Sequence, residues 1–116
     1  DALNYLGYMY AEKGIRLHVA ERLLKKALKK SPSNAYYLDS LGWIYFKKGK
    51  FKLALKYIDR ASKLLTDPII YEHLGDIHAA MGSINEARIS YEKSLDKIQN
   101  AAVQDKLRIL ARPDTK

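Results

Sequence analysis

The stretch from residue 35 to residue 68, AYYLDSLGWIYFKKGKFKLALKYIDRASKLLTDP, decides the fold, because a version of it stands on either side. Gly7, Gly42 and Gly75 occupy the same point of three successive units, and Gly14, Gly49 and Gly82 follow seven residues later each time. The two sets therefore advance in step along the chain. Ala20, Ala54 and Ala87, then Ala27, Ala61 and Ser94, recur at nearly the same interval. A period of about 34 residues, with one glycine inside the first apolar pattern and another at its end, is that of a stacked helix-turn-helix repeat. The sequence thus points to an interaction scaffold and leaves open what the scaffold holds.

The residues at this period resemble the tetratricopeptide repeat. The second unit supplies Leu38, Leu41, Gly42, Tyr45, Gly49, Ala54, Ile58 and Ala61. The first supplies Leu6, Gly7, Tyr10, Gly14, Ala20, Leu24, Ala27 and Pro32, with one extra residue between Gly14 and Ala20. The third gives Tyr71, Leu74, Gly75, His78, Gly82, Ala87, Tyr91 and Ser94, departing at His78 for Tyr and Ser94 for Ala. The resemblance implies an all-α fold, an alpha-alpha superhelix (a right-handed solenoid) of three helix-turn-helix repeats plus a C-terminal capping helix. Residues 1–116 read as a single domain: repeat 1 over about 2–33, repeat 2 over about 34–67, repeat 3 over about 68–99, and the cap over about 101–112. The runs around Gly7 and Gly42 also look like the closing repeats of larger bacterial proteins of this family, several of them envelope-associated adaptors. The chain is therefore expected to be a soluble fragment from the bacterial cytoplasm, or from the periplasm in association with the envelope, with the compartment left open. A start at Asp1, with helix pattern already under way, reads as a piece of a longer array.

Local signals agree with the repeat. Helix is expected over about 2–13, 17–30, 35–48, 51–65, 68–81 and 85–98, with Gly14, Gly49 and Gly82 in the turns, where glycine readily takes the left-handed conformation. Ser33 or Asn34 caps the third helix, and Asp67 caps the fifth with Pro68 in its first turn. Glycine inside a helix costs about 1 kcal/mol against alanine, so Gly7, Gly42 and Gly75 need a reason. Close approach of the facing helix at Ala20, Ala54 or Ala87 supplies one.

Composition sets further bounds. At 47% apolar and 10% aromatic residues the chain is too hydrophobic for disorder, yet no apolar run reaches the length of a membrane span. Without cysteine it has no disulfide and no thiolate site. Net charge is +8 but unevenly spread: residues 13–63 carry 14 Lys and Arg against three acids, and residues 67–96 carry two against six. The basic half, with Lys25, Lys26, Lys29, Lys30, Lys48, Lys50, Lys52 and Lys56, could attract nucleic acid or anionic lipid, or simply be a solvated outer face. His18, His73 and His78 are too dispersed for a metal site, His73 with Glu72 and Asp76 reading as a surface triplet; no nucleophile–base pair or phosphate loop is found. No enzyme, cofactor, metal or small-molecule substrate is expected.

The resemblance also implies a concave groove lined by the first helix of each repeat. The positions that would face it are Asn4, Tyr8 and Glu12, then Asp39, Trp43 and Lys47, then Glu72, Asp76 and Ala80. The groove would be aromatic and acidic, with Trp43 partly exposed as an anchor, so that truncating Trp43 would abolish partner capture and leave the fold nearly intact. Tyr8 and Trp43 could instead stack between repeats. The family's clamp for a C-terminal carboxylate needs cations where this sequence has Asn4, Tyr8, Ser40, Ile69 and His73, so that ligand is not expected. A peptide or helix segment bearing Lys or Arg would suit Asp39, Glu72 and Asp76 better. The expected function is a protein-interaction scaffold or adaptor. The alternatives are weak self-association through repeat ends, around Leu3 and Leu6, or binding of nucleic acid or anionic lipid by the basic face.

Overall fold

The computed structural model describes residues 9, 10, 12–14 and 16–112. Residues 9, 10, 12 and 13 are helical and lead into Gly14; Asn4, Gly7, Tyr8, Leu3, Leu6 and the tail from Pro113 lie outside the described residues. Six further helices follow: α1 (Leu17–Lys30), α2 (Ala35–Lys47), α3 (Phe51–Leu64), α4 (Pro68–Ala80), α5 (Ile84–Lys97) and α6 (Ala101–Leu110). Among the described residues there is no strand. The chain divides into two compact units, residues 1–65 with α1–α3 and residues 66–116 with α4–α6.

Three helices start on the same device, each one repeat period after the last. The Asn34 side chain accepts from Tyr37 N (3.1 Å), Asp67 from Ile69 N and Ile70 N (2.8 and 3.3 Å), and Asn100 from Ala102 N and Val103 N (2.8 and 3.3 Å). Each satisfies backbone donors that a helix start leaves unpaired, worth about 1 kcal/mol. Two helices also stop alike. Gly49 at φ 77° and Gly82 at φ 79° let the chain fold back, so that Lys50 N donates to Tyr45 O and Ser83 N to His78 O, both at 2.8 Å. The extra residue of the first repeat falls in the turn before α1, where Arg16 takes the left-handed conformation at φ 50°.

In the first unit, Ala20 and Leu24 of α1, Leu38, Leu41 and Ile44 of α2, and Ala54, Ile58 and Ala61 of α3 are all within 1% of full burial. In the second, Ile70 and Ile77 of α4, Ala87 of α5 and Val103 of α6 are equally sealed, with Tyr91 at 3%. Burying each large apolar side chain contributes about 1.5–3 kcal/mol.

The helix-interior glycines are where the hairpins close. A Cβ on Gly42 would fall on Ile58 Cγ1 and lie 3.1 Å from the Ala54 carbonyl oxygen; a Cβ on Gly75 would fall on the Tyr91 ring. The expected partners were Ala54 and Ala87, yet the side chains actually met are Ile58 and Tyr91, one turn later. Helical side chains lean toward the N-terminus, so the residue a turn downstream covers the small one. Ser94, a departure from the repeat pattern, turns its hydroxyl to the Pro68 carbonyl at 2.8 Å and ties α5 to the start of α4.

Helix α6 keeps the register of α2 and α4. Its cap Asn100 and the buried Val103 stand one period on from Asp67 and Ile70. At the glycine point it carries Arg108, whose side chain is 70% exposed. A helix packed onto α6 as α3 packs onto α2 would meet the arginine stem.

Candidate functional site

In the first unit the candidate residues converge on Trp43. Asn34 sets the start of α2, and two turns on the helix presents Trp43 and Lys47 on one side, toward the helical turn that carries Glu12. The Trp43 indole Nε1 donates to Glu12 Oε2 at 2.6 Å, and Lys47 Nζ lies 4.0 Å from the same oxygen and 5.1 Å from the Trp43 ring centre. Phe46 stacks on the indole at 4.7 Å and 18°, and Phe51 of α3 adjoins Phe46 at 5.5 Å. Sequence and structure differ here: Trp43 is 6% exposed, not the partly open anchor expected. Its indole supports the site from beneath, while the Glu12 and Lys47 side chains reach water, 44% and 33% exposed. Asp39, expected in the open groove, is likewise buried at 6%.

A second polar centre joins α1 to α2. Glu21 Oε1 accepts from Lys48 Nζ at 2.7 Å, and Oε2 accepts from the Tyr45 hydroxyl at 3.0 Å and faces Lys25 Nζ at 2.8 Å. Burial alone would push the Glu21 carboxyl up, but hydrogen bonds from Lys25, Lys48 and Tyr45 more than offset it, and its pKa falls to about 2. Burial, and then Glu21 beside it, pushes the Tyr45 hydroxyl up. Two lysines of the expected basic face, Lys25 and Lys48, are thus engaged by a carboxylate. Nothing in the repeat pattern singles out Glu21; only the fold brings it to Tyr45.

In the second unit the expected groove carboxylates already hold a cation. Lys106 Nζ of α6 lies 2.7 Å from Glu72 Oε2 and 3.0 Å from Asp76 Oδ1, and the Tyr91 hydroxyl of α5 donates to Asp76 Oδ1 at 2.6 Å. Burial disfavours the charged Lys106, yet Glu72 and Asp76 outweigh it and its pKa rises. Tyr91 is pushed up first by burial and then by Asp76. The expectation that Glu72 and Asp76 stand open to a basic ligand is therefore corrected: an amine of the same chain fills the place. Lys106 stands one period on from His73, the neighbour of Glu72, so the register itself could have revealed an amine beside these carboxylates. Ala80 is exposed, and His78 is partly buried. His73, expected at the surface, is 4% exposed, because it shares the register of the buried Ser40. Among the described residues no His, Asp or Glu cluster could hold a metal ion, and no helix is long and apolar enough to cross a membrane.

Comparison with known proteins agrees with this architecture. A family model described as a tetratricopeptide repeat-like domain matches residues 11–112. A TPR repeat-containing protein of Pseudomonas aeruginosa is 39% identical over 75 residues, 65% of this chain and 13% of that protein. One of Methanocaldococcus jannaschii is 41% identical over 71 residues, 61% of this chain and 12% of that protein. The chain therefore matches only a small part of either relative's length. Among solved structures, the first TPR domain of RPAP3 bound to the HSP90 peptide SRMEEVD superposes with a TM-score of 0.85 at 23% identity, over 95% of this chain and 88% of that one. The Yersinia enterocolitica secretion chaperone SycD, in complex with a peptide of the translocator YopD, gives 0.81 at 15% identity, over 94% and 89%. These identities speak for the fold alone. With three capped helices at a constant interval, two hairpins closed on glycine and a family match across nearly its whole length, the chain belongs to the tetratricopeptide-repeat family.

Proposed function

We propose that the chain is a non-catalytic protein-interaction module of adaptor type, which engages a peptide or helix segment along the face bearing Glu12, Trp43 and Lys47. The observation that carries this reading is the charged pair held at the surface on a packed aromatic base. The indole fixes Glu12, Phe46 fixes the indole, and Lys47 stands over the ring, so both charges are preorganised at little further ordering cost. Two fold neighbours solved with bound peptides lend support. In the second unit, a basic partner must compete with Lys106 for Glu72 and Asp76, which favours the Glu12–Lys47 face as the point of first contact. The basic-surface alternative is weakened by the pairing of Lys25 and Lys48 with Glu21.

The test is a charge exchange that leaves composition and net charge unchanged. Glu12→Lys combined with Lys47→Glu is expected to keep helical content and to lose partner capture in a crosslinked pull-down. Undiminished capture by this variant would refute the assignment of the face, and a wild-type chain that captures no protein would refute the module reading.

A further inference from the structure

A cleft in the first unit lies on the other side of α2. At 100° per residue, Leu38 and Leu41 point nearly opposite to Trp43 and Lys47, and they form the floor of a cavity of about 470 Å³ between α1 and α3. Leu28 of α1 and Tyr57 of α3 make its walls, with Pro32 at the α1–α2 turn. Its charged rim is entirely cationic: Lys25, Lys29 and Arg60 line it, and no carboxylate does. Arg60 reaches from α3 to donate to the Pro32 carbonyl at 3.4 Å, which holds its guanidinium at the mouth. Lys25 is paired with Glu21. Neither Lys29 nor Arg60 forms an ion pair with a carboxylate among the described residues.

An apolar floor under unneutralised cations on two different helices is complementary to one kind of occupant. We propose that this cleft is a second docking site, independent of the Glu12–Lys47 face, for an acidic peptide segment that sets an apolar side chain between carboxylates. The apolar side chain lies on Leu28, Leu38 and Leu41 beside the Tyr57 ring. The flanking carboxylates meet Lys29 and Arg60, the latter able to take a carboxylate through two parallel hydrogen bonds. An open mouth framed by two helices suits a strand of peptide crossing it. Because the rim charges are exposed, affinity falls as salt rises.

The probes are three blocked synthetic pentapeptides, with leucine between pairs of aspartates, alanine between pairs of aspartates, and leucine between pairs of lysines. Octanoate is a fourth, small-molecule probe. Binding is followed by amide chemical-shift mapping. The aspartate–leucine peptide is expected to shift Lys29, Tyr57 and Arg60 selectively, the alanine peptide to bind about tenfold more weakly, and the lysine peptide not to bind. Arg60→Glu and Lys29→Glu, both substitutions of surface groups, are each expected to weaken the aspartate–leucine peptide at least tenfold while leaving the spectrum of the folded chain in place. Equal binding of the alanine peptide, shifts centred away from the cleft, no binding at millimolar peptide, or binding of octanoate without the peptide would each overturn the proposal.

Discussion

Replacing Gly42 by alanine sets two physical effects against each other, and the geometry decides the sign. In an exposed helix the change stabilises by about 1 kcal/mol, since alanine is the better helix former. Here the new methyl would fall on Ile58 Cγ1, with the Ala54 carbonyl 3.1 Å away. Ile58 is fully buried, so either its side chain leaves its rotamer or α2 and α3 part. Overpacking of this kind costs about 1–3 kcal/mol, and the net expectation is a loss of about 1–2 kcal/mol. Urea titration followed by the fluorescence of Trp43, the sole tryptophan and a reporter of the first unit, measures it. Ile58→Ala alone should cost about 2–5 kcal/mol through the cavity it leaves. Because it removes the atoms that the methyl strikes, the double variant should be more stable than the sum of the two losses by about 1 kcal/mol or more. A more stable Gly42→Ala variant, or losses that add within about 0.5 kcal/mol, would refute the close-approach argument.

Trp43→Ala is expected to destabilise the first unit by about 3–5 kcal/mol, whereas Trp43→Phe keeps the stack on Phe46 and gives up the bond to Glu12; equal melting of wild type and the alanine variant would show that the indole is not buried. Glu21 has its pKa lowered from 4.5 to about 2, so its stabilising effect is complete above about 4.5 and is lost as pH falls toward 2. With its partner Lys25 half in water (52% exposed), screening leaves about 1 kcal/mol of that, and Glu21→Gln should flatten the acid limb of a stability–pH curve. Tyr91→Phe removes the donor to Asp76 and should cost about 1 kcal/mol with no loss of helix, read by thermal melting. Asn100→Ala should loosen α6 by about 1 kcal/mol, visible as faster amide exchange at Val103.

The repeat was legible because its signals are local. Glycines in the left-handed conformation, side-chain caps and small residues at contact points depend on one or two turns of chain, and the helix limits fell where those residues put them. The site was harder to read, since its properties depend on what faces each residue. Trp43 and Asp39 share the register of exposed family positions, but the packing of Phe46 and the turn at Glu12 close over the indole. Glu21 looks like an ordinary surface acid until α2 brings Tyr45 and Lys48 to it. Lys106 was visible in principle one period on from His73, beside Glu72, hidden only because the last helix reads as a cover and not as a fourth copy of the register.

That lysine bears on how far the repeat can be treated as an interchangeable part. The α4–α5 hairpin looks self-sufficient, with its own glycine contact and its own cap, yet Glu72 and Asp76 rely on an ammonium supplied by the helix after it. Grafted elsewhere without α6, the hairpin would bring two adjacent carboxylates and no counterion. A designer moving it must carry Lys106 along or replace an acid, because here the electrostatic unit is longer than the folding motif.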